Sequence, residues 1–257
     1  MPELSITDWV LAIIAGLGVG VSKSGFAGVS LVHVLVMAHI FGDKLSTGVV
    51  LPMLCIGDIG AVVAFKRHAV WRHVVRPLPI ACIGVIIGTW MMHSVVPESA
   101  YKPFIGWTVL VLVILQVWRM LRPGVFEHVP HSWPFAATMG LLAGITTMMA
   151  NAAGPVMGMY FIAVGLPKYQ FTGTSAWFFL LINLFKIPFS ASLGLIRTDT
   201  LLFNAMLIPA ILAGLFFGRW LLAHVSQRLF DGLILTFAAI VALWRIGALA
   251  WVAQLFR

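Results

Sequence analysis

Membrane-length apolar segments fill this chain in two successive sets, and each set is broken early by glycine. The first break reads Gly16-Leu17-Gly18-Val19-Gly20-Val21-Ser22-Lys23-Ser24-Gly25-Phe26-Ala27-Gly28. The second reads Gly140-Leu141-Leu142-Ala143-Gly144, followed by Asn151-Ala152-Ala153-Gly154-Pro155. Backbone freed by a break inside a bilayer is tolerated only when it is buried in protein or faces a water-filled cavity. A matched pair of such breaks in two halves points to a transporter's binding site.

The solvent follows from composition. Of 257 residues, 61% are hydrophobic and only 9% charged, with a mean hydropathy of +1.04, whereas about a quarter of a soluble domain is charged. This is the composition of an integral membrane protein. Runs such as Ser46 to Phe65, Val74 to Val96 and Phe104 to Val117 lack the alternation of a membrane barrel, so the spans read as helices. The net charge of +8 is scattered between apolar segments and forms no stripe or arm, which speaks against nucleic acid. Cys55 and Cys82 lie inside apolar segments without a CxxC pair and read as packing residues. Glu3 and Asp8 stand where a secretory signal needs positive charge, so the first segment is expected to remain a membrane helix.

The repeat can be followed by position. Gly16 and Gly20 match Gly140 and Gly144, Thr47-Gly48 matches Thr172-Gly173, and Asp58 matches Asn183, at offsets of 124 or 125. Pro79, Gly84, Gly88 and Trp90 match Pro209, Gly214, Gly218 and Trp220 at a constant offset of 130. Residues 1–122 therefore form an N-terminal repeat, 123–132 a linker and 133–257 a C-terminal repeat of one membrane domain. Five apolar elements are expected in each half: 8–21, 29–41, 46–65, 74–96 and 103–119, then 133–150, 155–166, 171–192, 200–223 and 229–251. The second of each set has about a dozen residues, only ~18 Å of helix against a hydrocarbon core of ~30 Å. It is either re-entrant or a broken span. Three or five spans per half are both odd, so the second half enters from the opposite side. The fold class is an all-α membrane protein, a polytopic helical bundle of about 8–10 hydrophobic segments in two inverted repeats with broken or re-entrant short helices.

Lysines and arginines in short loops orient such a bundle. Lys66, Arg67, Arg72 and Arg76 place their loop in the cytoplasm, and alternation adds Arg119, Arg122, Lys168, Arg219 and Arg228. Lys44, Lys102, Arg197 and Arg257 fall outside, and both termini face outward.

The chemistry concentrates at the breaks. Short helices starting near Gly28 and Pro155 would aim uncompensated N–H groups at a common cavity, an arrangement that favours an anion. Ser22, Ser24 and Asn151 suit caps for those ends, and Pro155 fits a first helical turn. Gly25, Gly28 and Gly154 would let backbone approach a ligand. Lys23 lies in the first break and Lys186 late in a long span. Ammonium groups inside a membrane mark ion pathways, although Lys186 could also snorkel to an interface. The second break carries no lysine, so the site is expected to be asymmetric in charge. Asp58, the one carboxylate deep in a span, offers a proton carrier or a partner for a buried lysine, equally a structural bridge. Thr47, Thr172 and Thr174 offer hydroxyls to the cavity or caps to a helix.

Eight histidines form no metal motif and read as loop and interface residues. Trp71, Trp107, Trp133 and Trp251 fit an interfacial belt. No Walker A sequence occurs, so no nucleotide drives transport, and no cofactor or metal is expected.

With Gly-x-Ser-Lys-Ser-Gly-Phe-x-Gly at 20–28, Asn-Ala-Ala-Gly-Pro at 151–155 and the repeated Pro-x4-Gly-x3-Gly pattern, the chain resembles the TauE/SafE family of sulfite and organosulfonate exporters over nearly its whole length. The resemblance implies a bacterial inner-membrane carrier of small anions such as sulfite, sulfoacetate or related carboxylates, and not an enzyme. The expected reading is a secondary transporter working by alternating access, with Ser22, Lys23, Ser24, Gly25, Gly28, Asn151, Gly154 and Lys186 binding substrate and Asp58 as coupling candidate. Its partners would be the small anion and the lipid bilayer, with a homodimer left open. The alternatives are a proton- or cation-coupled carrier or channel using Asp58, and an intramembrane enzyme built on a histidine-bound metal.

Overall fold

A computed structural model describes residues 4–26, 29–93 and 132–226, with isolated positions at 107, 110, 111, 114, 229, 230, 232, 233 and 236. All regular structure among these residues is helical. The first half holds α1 (Ile6–Lys23), α2 (Ser30–Phe41), α3 (Asp43–Phe65), α4 (Trp71–Val75) and α5 (Leu78–His93), with a 3-10 turn at Lys66–His68. The second holds α6 (Trp133–Ala150), α7 (Ala153–Ala163), α8 (Lys168–Ser192), α9 (Thr198–Met206) and α10 (Ile208–His224). The expected segments 103–119 and 229–251 lie almost entirely outside the described residues, as do Gly28, Lys102, Arg119, Arg122, Arg228, Trp251 and Arg257.

Local chemistry sets the ends of these helices. Ser5 and Asp8 form a reciprocal capping box at the start of α1, Asp8 N–H donating to Ser5 Oγ and Ser5 N–H to the Asp8 carboxylate. Ser132 accepts from Phe135 N–H at the start of α6, with Pro134 in the first turn. Asn151 ends α6 in the left-handed region at φ 51°, a conformation asparagine visits more readily than most residues.

Five helices are long and apolar enough to cross a membrane, and the pair α9–α10 makes a sixth if its bend lies within one span. The expected element at 74–96 is one span candidate, Trp71–His93, made of α4 and α5 across a turn at Arg76-Pro77, whereas that at 200–223 is α9 and α10, bent by 47° just before Pro209. A proline lacks the N–H that would continue the ladder and crowds the preceding turn, so both elements break at their prolines. At 12 and 11 residues, α2 and α7 are too short to span.

Small residues decide the packing. The buried face of α1 is Ala12, Ala15, Gly16, Val19 and Gly20, whereas Val10, Ile13, Ile14 and Leu17 are exposed. In α10, Gly214 and Gly218 are buried and Phe216, Phe217 and Trp220 exposed. Small faces inward and large apolar faces outward suit helices whose surroundings are lipid, since close backbone approach is what drives their association. A Cβ on Gly20 would fall on the Ile211 carbonyl, and one on Gly144 on the Ala81 carbonyl.

These two contacts are one contact repeated, displaced by 124 residues in α1 and α6 and by 130 in α5 and α10. Gly214 meets Leu17 as Gly84 meets Leu141, and Gly48 meets Leu195 as Gly173 meets Phe65. Accordingly α1 packs on α10, α5 packs on α6, and α3 packs on α8. The core continues between α5, α6, α7 and α8 through Val85, Met148, Met157, Phe161 and Phe178.

Candidate functional site

The breaks after α1 and α6 converge on one cavity. Ser22 and Lys23 line it from α1, His33 from α2, Leu54 and Asp58 from α3, Thr147 from α6, Asn151 and Gly154 from the second break and α7, and Ser175, Phe179 and Asn183 from α8. Its free space is about 30 Å³, room for a water or two.

A buried polar chain crosses the cavity wall. Lys23 Nζ stands 2.7 Å from Asp58 Oδ1 and 4.8 Å from the centre of the Phe179 ring. Asn183 Nδ2 donates to Asp58 Oδ2 at 2.7 Å. Asp58, Asn183 and Lys186 are each at most 1% exposed, so every charge must be answered inside the protein. Lys186 Nζ donates to the Thr147 carbonyl at 2.9 Å and to Asn151 Oδ1. Asn151 Nδ2 in turn donates to the Thr47 carbonyl at 3.0 Å, tying the second break to α3.

Lys186 therefore does not snorkel. Its stem turns inward because its ammonium finds carbonyl and amide oxygens at the second break. The second break has no lysine of its own, and α8 brings Lys186 to it. Two lysines, Lys23 and Lys186, thus meet one carboxylate, Asp58, in this cluster. Thr147, at the repeat position of Lys23, is the residue that Lys186 reaches.

Of the expected ligands, the structure gathers Ser22, Lys23, Asp58, Asn151 and Gly154 on the cavity, with Lys186 bonded directly behind Asn151. Ser24 is fully buried, gives its hydroxyl to the Val21 carbonyl and packs against Gly218 of α10. Gly25 turns the chain at φ +114°, where a side chain would strike Thr172. Gly28 lies outside the described residues. The capping roles expected of Ser22, Ser24 and Asn151 need correction too, since Val29 and Ala152 precede α2 and α7 without any side-chain cap. Asn151 instead ends α6. Thr47 and Thr172 spend their hydroxyls on the Lys44 and Lys168 carbonyls, and Thr174 accepts from Val70 N–H, whereas Ser175, Ser22 and Thr147 line the cavity.

His33 is the residue the sequence concealed. It is 1% exposed, and neither ring nitrogen has a hydrogen-bond partner. It is neither a loop nor an interface histidine, because α2 carries it into the protein. The lone His in an apolar helix gave no sign of this. His73 is also buried, bonded to the Tyr160 hydroxyl at 2.9 Å. Among the described residues no group of three or more His, Cys, Asp or Glu could hold a metal ion. His128 and His131 lie outside them.

Compared with known proteins, residues 12–245 match the family described as Sulfite exporter TauE/SafE. No curated protein and no solved structure matches significantly.

Proposed function

The chain belongs to the TauE/SafE sulfite exporter family, a family of membrane transporters, and on that premise we propose that it carries small sulfur or carboxylate oxyanions out through the cavity between the two breaks. The observation that carries this reading is the polar cluster itself: a cavity at two interrupted helices, with two lysines against one carboxylate and two unpartnered ring nitrogens on His33. Lys23, Lys186 and the uncapped start of α7 attract the anion, and Ser22, His33, Asn151 and Ser175 orient its oxygens. Gly154 leaves room for close approach to the α7 backbone.

Export across a bacterial inner membrane needs no nucleotide, because an inside-negative potential favours anion exit by ~2.3 kcal/mol per charge per 100 mV. The small cavity volume suits a closed stage of an alternating-access cycle, in which the two repeats rock about the site. The recurrence of glycine contacts at offsets of 124 and 130 supports that inverted-repeat arrangement.

The test is flux from liposomes. Purified protein loaded with labelled sulfite, sulfoacetate or a small carboxylate should release at least one of them saturably, faster under a potential negative on the loaded side. Lys186→Met should reduce that flux at least tenfold while the protein stays folded. Absence of saturable flux for every oxyanion would overturn the proposal. A second reading, coupling to protons through Asp58, is favoured by its ion pair with Lys23 beside His33. It requires flux that responds to an imposed proton gradient and ceases to respond in Asp58→Asn.

A further inference from the structure

A second cavity, larger than the first, opens between α3 and α10 with a volume of about 520 Å³. Its walls are apolar, formed by Val63, Leu212 and Phe216. Its rim is basic, formed by Lys66, Arg67 and Arg219. Val63 and Phe216 are each 70% exposed, so the walls continue the outward-facing apolar surface of the two helices. The rim stands at the end of the candidate span Lys44–His68, where hydrocarbon gives way to water. Trp220 beside the rim is 56% exposed and stacks with Phe217 and His224, the mark of a residue at that boundary. His68, also on the cavity, turns its ring toward Tyr169.

We infer that this groove binds one anionic phospholipid, its phosphate held by Lys66, Arg67 and Arg219 and an acyl chain laid along Val63, Leu212 and Phe216. No carboxylate lines the cavity, so the three cations are answered by none of its lining residues. A basic pocket between membrane helices is suited to such a headgroup. A soluble anion would leave the apolar walls uncovered. A second copy of the chain would bring a further set of cations against the first. The lipid satisfies both halves of the groove, and it would brace α3, which carries Asp58, against α10 where Gly60 packs on Leu215.

Delipidated protein in neutral detergent, titrated with phosphatidylglycerol or with phosphatidylcholine of the same chains, provides the test by native mass spectrometry. Each basic residue near an anionic headgroup is worth about fivefold in affinity. Phosphatidylglycerol should therefore bind well above phosphatidylcholine, and Arg67→Ala/Arg219→Ala should lower its affinity about 25-fold, leaving the roughly fivefold preference that Lys66 supplies. Arg72→Ala, at an exposed arginine of α4 that does not line the groove, should leave binding unchanged. Unaltered melting without lipid shows that the variants fold. Equal binding of the two lipids, an effect of Arg72→Ala as large as that of the double variant, or full competition by inorganic phosphate would overturn the inference. So would a dimer that the double variant abolishes while its lipid binding persists.

Discussion

The buried pair Lys23–Asp58 should behave as a unit, and a double-mutant cycle measures this. At 2.7 Å and an effective dielectric constant of about 20, the gross attraction is about 6 kcal/mol. Desolvation of both groups offsets much of that, so the pair as a whole is worth far less. Removing one partner is different. Asp58→Asn keeps the shape and the contact with Asn183 but strands the ammonium, whose other described neighbour is the Phe179 ring. Lys23→Met strands the carboxylate. Each should cost about 3–5 kcal/mol. The double variant strands nothing and should cost under about 2 kcal/mol, giving a coupling of at least about 4 kcal/mol. Equilibrium unfolding of the four proteins in one detergent, with increasing SDS, reads all four corners. If the double variant equals the sum of the singles within about 0.5 kcal/mol, the residues are independent and the electrostatic reasoning fails. A silent Asp58→Asn would refute it more directly, since it would mean that the carboxyl carries no charge against Lys23.

Three further outcomes follow from the packing and the site. Gly20→Ala and Gly144→Ala each place a methyl on a carbonyl of the facing helix, Ile211 or Ala81, and should each cost about 1–3 kcal/mol; an unchanged melting temperature in either would contradict the close crossing. Asn151→Gly and Asn151→Ala both lose the bonds to Thr47 and Lys186, but only alanine also strains at φ 51°, so glycine should be the more stable by about 1 kcal/mol, a difference resolved by thermal melts of the two variants. His33→Phe has no hydrogen bond to lose and should stay within about 1 kcal/mol of wild type in unfolding, while raising the KM for anion flux severalfold. Unaltered KM would remove His33 from the anion's path.

Glycine spacing made the architecture legible, because close helix crossings demand small residues at fixed intervals. Gly16, Gly20, Gly140 and Gly144 are those residues, and each faces the opposite half. Lys23, Asp58, Asn151 and Gly154, which line the cavity, were legible because charge, amide or broken backbone is costly inside a membrane. His33 was not, since a neutral histidine in an apolar helix costs little enough to go unremarked. Ser24 misled for the opposite reason: a serine among glycines resembles a ligand, yet its hydroxyl is spent on the Val21 carbonyl of its own helix. The breaks at Pro77 and before Pro209 were visible as prolines but absorbed into long apolar runs.

The asymmetry of charge between the halves has a physical reason in the contact between repeat mates. Asp58 and Asn183 occupy matching positions and hydrogen-bond to each other at 2.7 Å. Two carboxylates at that separation could not both ionise. Two amides would pair well but would leave Lys23 without a counter-ion. One acid and one amide is the combination that keeps a charge at the centre and still satisfies its second oxygen. The lysines then cannot follow the repeat either. An ammonium at Thr147 would be aimed at a position where its half offers an amide in place of a carboxylate. Lys186 enters from α8, one turn beyond Asn183, and takes its bonds from Thr147 and Asn151 instead. Neither of those partners is an acid. Lys186 is therefore held by neutral oxygens and Lys23 by a carboxylate, so the two lysines of the cluster stand in different surroundings.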